Sequence, residues 1–456
     1  MNRIAKRSLT VILLACLLVG GFVFFLVEYA IHAPQWAVHE GSPHVYSDDK
    51  FKSGVVTDRD GIVLLDMQGD WVYAEDPAIR KATLHWIGDR EGNILIPAVP
   101  NYYSEVVGYD YINGLYTYGG IGRDEGAVEL TLSAELQTVA LEAMAGRKGT
   151  VAVYNYKTSE ILCAVTTPTY DPDNVPDIAA DPVTYEGAYM NRFMQSAYTP
   201  GSIFKVVTLA AALDSIPYAE TVSFTCTGSW GSGEHPVTCE RSHGTQSLKD
   251  AFANSCNCAF AELSQQLGSA TLKRYVDQFQ VMETVEFDGI SSATGNFDTP
   301  EDPVSMAWTA IGQYTDLVNP CAFMTFMGAI ANDGRTALPY IVAAADDGKD
   351  GYVATTAFVD SVISPETAAT VKKYMRHNVT TKYGDENFPG LTVCAKTGTA
   401  EKDNGDVSNA MFAGFVTDLD YPLAFVICVE EGGYGASTCV PIASKVLTAC
   451  KELLDS

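Results

Sequence analysis

Apolar and polar positions alternate with a different period in successive parts of the chain. Residues 9–27 carry no charge at all, and Glu28 ends the run. Such a stretch is just long enough to cross a bilayer as one helix. Arg3, Lys6 and Arg7 precede it without an acid, a flank that stays on the cytoplasmic side, so everything after Glu28 is expected outside. A cleaved signal peptide would have a shorter apolar core and a clear small-residue site, and only a weak one exists near Gly21. Leu13-Leu-Ala-Cys16 loosely resembles a lipoprotein cleavage box, but the apolar run continues past Cys16. An uncleaved anchor over 1–33 is therefore expected. Residues 34–125 are rich in Tyr, Gly and Asp, with short alternating runs at 54–57 and 62–65. They predict short strands and loops, a pedestal that carries no catalytic constellation.

Beyond 126 the periods are clearer. Leu136, Val139, Ala140 and Met144 share one face of a helix over 133–145. Residues 151–156 and 161–165 read as a hairpin with its turn at Lys157-Thr-Ser. Residues 171–199 are loop-like and rich in Pro and Asp, and 202–380 are mostly helical in pattern, including 324–331 and 365–377. Apolar strands return at 392–395, 410–416 and 423–429, and a last helix runs over about 441–453. Two strands before the helices and three after predict an α+β fold. In it one antiparallel five-stranded sheet, its ends meeting, is covered by helices with a helical subdomain inserted. A cleft between sheet and helices follows. There are no internal repeats.

At 456 residues the chain has room for two or three domains, and 47% hydrophobic content supports real cores. A net charge of −27 argues against nucleic acid and against anionic lipid held through a basic surface. Eleven cysteines make an odd count, with Cys16 inside the anchor. Cys226 and Cys239 bracket a Gly/Ser-rich loop and could form a disulfide if the compartment is oxidising. His235 and His243 lie near them, so a metal site is conceivable, but the spacing fits no standard zinc pattern. Cys256 and Cys258 are read as small buried apolar residues rather than reagents.

Candidate chemistry starts at Thr199-Pro-Gly-Ser202-Ile-Phe-Lys205, which opens an apolar run to Leu213. Residues three apart share a helix face, so the Lys205 amine reaches the Ser202 hydroxyl. A helix start supplies free N–H groups and the positive dipole end, and an amine in an apolar wall loses its charge more easily. Together these make an activated nucleophile. The ordinary alternative is a capping serine and a snorkelling lysine. Ser-x-x-Lys alone is a poor signal, since Ser47-Asp-Asp-Lys50 matches it too. Ser255-Cys256-Asn257 falls on a short turn between two helix-like runs, where helix capping would explain it equally well. Lys396-Thr397-Gly398-Thr399 ends a strand-like run. A strand glycine lets another backbone come close, and a lysine with two threonines suits a carboxylate. Its plain reading is an exposed lysine at a strand end.

The three motifs in this order are another matter, because that set belongs to penicillin-binding proteins and serine β-lactamases. The chain resembles the penicillin-binding proteins, class B, beyond the motifs. The run from Asn191-Arg192 to Thr208, Thr131-Leu132 with Leu136-Gln137, and Tyr170-Asp171-Pro172 carry the resemblance. So do Ile311-Gly312-Gln313, Ala331-Asn332 with Gly334, and Ala395 through Glu401. It covers about 125–456 and touches the front part, where Thr57-Asp58-Arg59-Asp60-Gly61 looks like the short motif opening the non-catalytic domain of class B members. The resemblance implies three parts: an anchor at 1–33, a pedestal at 34–125 and a β-lactamase/transpeptidase-like domain at 126–456.

It also implies the roles. Ser202 would be the nucleophile and Lys205 its base. Ser255 and Asn257 would relay the proton and hold the substrate amide. Lys396, Thr397, Gly398 and Thr399 would form the site for the terminal carboxylate, with the backbone N–H groups of Ser202 and Thr399 as the oxyanion hole. Substrates would be peptidoglycan stem peptides ending in D-Ala-D-Ala, and penicillins would acylate the same serine. No metal or organic cofactor is needed. A SEDS-family polymerase is the implied partner, because about ninety residues between anchor and catalytic domain are too few for a glycosyltransferase domain. The rivals are a D,D-carboxypeptidase and a non-catalytic penicillin-binding sensor or scaffold. A class A β-lactamase is disfavoured, as no Glu-x-x-Leu-Asn lies between Asn257 and Lys396.

Overall fold

The computed structural model describes residues 2–39, 42, 45–47, 50–115, 126–232, 235–346, 351–402 and 407–455. The far end of the expected pedestal, 116–125, and Asp48 and Asp49 of the second Ser-x-x-Lys match lie outside these residues.

The apolar strands assemble as the pattern predicts. Their order is 161–167, 149–155, 423–429, 407–416, 393–402, every neighbour antiparallel. The early hairpin therefore lies directly beside the last strand, and the two ends of the domain meet. Both faces of this sheet are buried. Val151, Val153, Phe412, Phe425 and Ile427 pack on one side with Leu136 and Ala140 of helix Ala134–Met144 and with Val446 and Leu447 of helix Gly435–Asp455. Ala152, Tyr154, Met411 and Val426 face the other side, with Phe323, Met324 and Met327 of helix Pro320–Ala331. Gly328 permits that close crossing, since a Cβ there would lie 1.7 Å from the Tyr154 hydroxyl.

One sheet edge, strand Ile161–Thr167, is closed. Its Ala164 N–H donates to Gln137 Oε1 at 2.7 Å, while Trp86 Nε1 donates to the Ala164 carbonyl at 2.6 Å. An edge whose backbone groups are satisfied by side chains cannot recruit another strand. The opposite edge, Val393–Lys402, borders the cleft.

The front part shares a sheet with segments from later in the chain. A six-stranded sheet runs in the order 351–353, 342–346, 127–130, 55–57, 63–66, 72–73. Strands 127–130, 342–346 and 351–353 thus come from beyond residue 125. Residues 336–346 and 351–359, expected within a mainly helical stretch, instead form four short strands. Val342–Asp346 contains three alanines, so its local preference is weak and its partner Ala127–Leu130 decides its conformation. Asp58 joins the parts. Its buried carboxylate accepts N–H groups of Asp60, Ile62 and Ala134 at 2.8–2.9 Å, the last at the start of helix Ala134–Met144. Arg80 and Asp171 add a bidentate ion pair with both contacts at 2.7 Å, which holds the Asp171 carboxyl below its usual range.

The first helix runs Asn2–Ala37, longer at both ends than the apolar run. Its apolar window has a mean hydropathy of 2.9 and none of it is buried, so by length and composition it can cross a membrane. Its later turns touch the body: Tyr29 and Tyr109 share a hydroxyl contact of 2.9 Å, and Tyr111 Oη donates to the Ala30 carbonyl.

Candidate active site

Pro200-Gly201 turns the chain into a short 3-10 segment, Gly201–Phe204, that continues as helix Lys205–Ser215. From Lys205 to Ala212 every side chain is buried. Continuous burial explains why the run is apolar on all sides, with Thr208 satisfied by the Ala310 carbonyl at 2.7 Å. Three residues per turn places Ser202 and Lys205 side by side. Lys205 Nζ donates to Ser202 Oγ at 2.7 Å.

Ser255 occupies the turn between helices Leu248–Ala253 and Asn257–Leu267. Its φ of +50° is uncommon for a non-glycine residue, and such strain gathers at functional sites. The turn is held by Ser255 N–H to the Phe252 carbonyl at 3.1 Å and Cys256 N–H to the Ala251 carbonyl at 2.9 Å. It aims Ser255 Oγ at Ser202 Oγ, 2.8 Å away. Asn257 Oδ1 accepts from Lys205 Nζ at 2.6 Å, and its Nδ2 donates to the Thr238 carbonyl at 2.7 Å.

Lys396 reaches the same point from the sheet. Its Nζ donates to Ser255 Oγ at 3.1 Å and to the Thr397 carbonyl at 2.9 Å. Ser255 therefore bridges Ser202 and both lysines, since Lys205 Nζ also lies 3.2 Å from Ser255 Oγ. The strand edge sits tightly on the serine turn. A Cβ on Gly398 would lie 2.7 Å from the Pro200 carbonyl oxygen, and one on Gly201 would lie 2.6 Å from that of Thr399. Gly201 also needs its φ of +54°, and its N–H donates to the Gly312 carbonyl at 2.8 Å. Thr397 is fixed by Tyr383, whose hydroxyl accepts the Thr397 N–H and lies 3.0 Å from Thr397 Oγ1. Thr399 Oγ1 accepts the Gly435 N–H at 3.3 Å.

Both lysines are almost fully enclosed, Lys205 at 0% and Lys396 at 1% exposure, with Phe260 and Phe252 beside the respective amines. Taking an ammonium out of water disfavours the charged form. Burial lowers the Lys205 pKa to about 7, against a smaller opposing pull from nearby cysteines. Burial, then the neighbouring Lys205 charge, pushes Lys396 well below the usual lysine range. A serine hydroxyl in contact with a readily neutral amine has its proton acceptor in place. A second buried amine, linked through a hydroxyl, makes a short proton route.

The three motifs thus converge on one hydroxyl. Gly201, Tyr383 and Gly312 also build the site; the turn at Pro200-Gly201 is legible in the sequence, while Tyr383 and Gly312 carry no such signal. Tyr383 lies in a one-turn π segment, Val379–Tyr383, that no local pattern announces. Gly312 enters the sequence argument only within Ile311-Gly312-Gln313. Cys226 and Cys239 are not bridged in this structure, where all eleven cysteines are free thiols. Cys256 and Cys258 are buried as expected. His235 stands apart, lining a 440 Å³ pocket with Asp302, Ser305, Trp308 and Tyr314.

Comparison with known proteins agrees with this geometry. The family model described as the penicillin-binding protein transpeptidase domain matches residues 149–448, more than half of the chain. Peptidoglycan D,D-transpeptidase PbpA of Mycolicibacterium smegmatis is 29% identical over 363 residues, covering 72% of this chain and 73% of that protein. The penicillin G acyl-enzyme complex of penicillin-binding protein A from M. tuberculosis superimposes with a TM-score of 0.74 at 25% identity, covering 87% of this chain and 99% of that one. The D,D-transpeptidase domain of an Eggerthella lenta peptidoglycan glycosyltransferase gives 0.73 at 25% identity, covering 88% and 98%. The family-model match spans the three motifs and the whole five-stranded sheet, and on it this chain belongs to the penicillin-binding protein transpeptidase family.

Proposed function

We propose that the chain is a serine-type peptidoglycan D,D-transpeptidase that crosslinks stem peptides and is acylated by penicillins. The observation that carries this reading is the 2.7 Å contact of the buried Lys205 amine with Ser202 Oγ, closed on its far side by Ser255 and Lys396. Ser202 Oγ attacks the carbonyl of the penultimate D-Ala while its proton passes to neutral Lys205. Backbone N–H groups of Ser202 and Thr399 hold the developing oxyanion. Ser255 delivers a proton to the departing nitrogen, the C–N bond breaks, and terminal D-Ala leaves. The amine of a neighbouring stem then attacks the ester carbonyl, loses its proton along the same route, and releases Ser202. Lys396, Thr397 and Thr399 bind the terminal carboxylate, and an arriving anion restores the charge that burial removes from Lys396. Asn257 holds the substrate amide.

The apolar helix anchors the protein, with Arg3, Lys6 and Arg7 on the cytoplasmic side and the catalytic domain outside. Glycan polymerisation falls to a separate membrane partner of the SEDS type. Incubation with a donor stem peptide plus a free D-amino acid tests the reaction. Exchange into the donor is expected; release of D-Ala with no exchange would make the protein a carboxypeptidase. Covalent labelling by a fluorescent penicillin tests the nucleophile. Ser202→Ala is expected to abolish the label without lowering Tm, and persistent labelling would move the nucleophile elsewhere.

A further inference from the structure

The turn that carries Ser255 and Asn257 has a second cluster directly behind it. Cys226 ends strand Ser223–Cys226, and His243 immediately precedes its partner strand Gly244–Ser247, where Cys226 pairs with Gly244. Cys239 follows the two-residue strand Val237–Thr238. Cys256 stands between Ser255 and Asn257, at the cap of helix Asn257–Leu267. Four segments thus send one thiol or imidazole each to a common point, and the four ligand atoms all lie within 4.8 Å of one another.

The spacing is that of a tetrahedral metal site. Zinc bonds of about 2.3 Å to sulfur and about 2.0 Å to nitrogen give tetrahedron edges of about 3.8 Å between sulfurs and about 3.5 Å from sulfur to nitrogen. Cys239 Sγ and Cys256 Sγ are 3.8 Å apart, and Cys226 Sγ and His243 Nδ1 are 3.5 Å apart. One disulfide would use two of these groups and leave a thiol and an imidazole facing it without purpose. The Cys258 N–H points at Cys239 Sγ from 3.4 Å, an outer contact of the kind that orients a ligating thiolate. Three soft sulfurs and one imidazole select zinc over hard cations.

We propose that Cys226, Cys239, His243 and Cys256 bind one zinc ion that holds the Ser255–Asn257 turn in its reactive position. Binding releases the three thiol protons to solvent; neutral His243 ligates through Nδ1 and keeps its proton on Nε2. With four protein ligands the site is closed, so the ion is structural. It has local work to do. Among the described residues, the segment from Ser223 to Ser247 holds a four-residue strand pair and a two-residue strand pair, and small hairpins are marginal in water. The metal ties them to the helix that starts at Asn257. The tie bears on the chemistry, because Asn257 is held by the Thr238 carbonyl, one residue before Cys239, and in turn accepts from Lys205.

The test is metal analysis of the full-length chain, purified in detergent under reducing conditions. One zinc per chain is expected, lost in Cys226→Ser and in His243→Ala and kept in Cys16→Ser. Replacement by cobalt should give the thiolate-to-metal charge-transfer bands and strong d–d bands of a tetrahedral sulfur site, a readout on the intact protein that needs no variant to fold. Stripping the metal with a chelator should slow penicillin acylation by about 10²-fold, the scale of a misplacement near 1 Å, and zinc should restore it. Absence of zinc with no tetrahedral cobalt spectrum would overturn the site. So would a mass-mapped disulfide among Cys226, Cys239 and Cys256, or zinc retained in both ligand variants. Full-rate acylation of stripped protein would overturn the positioning role. Metal content and spectra are read without turnover, so they stand or fall separately from the transpeptidase reading.

Discussion

Lys205 can accept the Ser202 proton only when its amine is neutral, and burial makes that accessible near pH 7. Below that value the protonated fraction dominates, and each further pH unit removes about tenfold of the active form. Acylation by penicillin should therefore climb as pH is raised through about 7 and then level off; a flat profile from 5 to 9 would assign the proton to another group. The same shift has a cost in stability. Unfolded lysine binds a proton up to its ordinary 10.5, folded Lys205 only up to about 7, so this group's contribution improves as pH rises between those values. Lys205→Ala should slow acylation at least about 10²-fold, the usual worth of a general base, measured by stopped-flow labelling. Gly398 is a second sensitive position. Gly398→Ala puts a methyl 2.7 Å from the Pro200 carbonyl, so the strand must back away from the serine turn. Acylation is expected to fall about 10²-fold, with correct secondary structure by circular dichroism.

At the level of elements, the site is a junction of three supports that have little sequence in common. A 3-10 turn supplies Ser202, an interhelical turn supplies Ser255, and a sheet edge supplies Lys396. The sheet is buried on both faces between helices. The junction with the front part rests on Asp58 rather than on an apolar patch alone. Asp58→Ala leaves three N–H groups without their acceptor, one of them at the buried start of helix Ala134–Met144. A loss of about 2–4 kcal/mol is expected in urea titrations. Penicillin labelling per folded molecule should stay normal, because Asp58 contacts none of the eight site residues. Reduced labelling in folded Asp58→Ala would instead mean that the front part shapes the active site.

Across the whole molecule, the first helix divides into two functions. Its apolar window is wholly unburied, while Tyr29 and Ala30 are engaged by Tyr109 and Tyr111. Removal of residues 1–27 should release the protein from membranes and leave acylation unchanged. Removal of 1–37 should also strip those contacts and lower Tm. Equal Tm for the two truncations would show that the later turns of the helix add nothing to the body. The strong negative charge of −27 fits a solvated surface and leaves the cleft to be defined by its two buried lysines.

The strand runs at 151–156, 161–165, 393–395, 410–416 and 423–429 were legible because they are buried on both faces, and such runs write themselves as unbroken apolar stretches, whereas the polar extensions through 396–402 and 407–409 were not. The membrane helix was legible for a related reason, since lipid demands the same uniformity along 9–27. Ser202 with Lys205 could be paired by helical spacing alone, and the order of the motifs supplied the rest. The strands at 336–346 and 351–359 escaped because short, alanine-rich segments take their conformation from partners far away in the chain. Tyr383 and Gly312 escaped for the same reason, as their roles depend on contacts across 14 and 111 residues of chain. The four zinc ligands show the division most clearly. Their spacing in sequence matches no known metal pattern, and only the folding of a hairpin against the start of a helix brings three thiols and an imidazole to one point. Local pattern fixes what each segment becomes; which side chains share a volume is decided by how the segments close on one another.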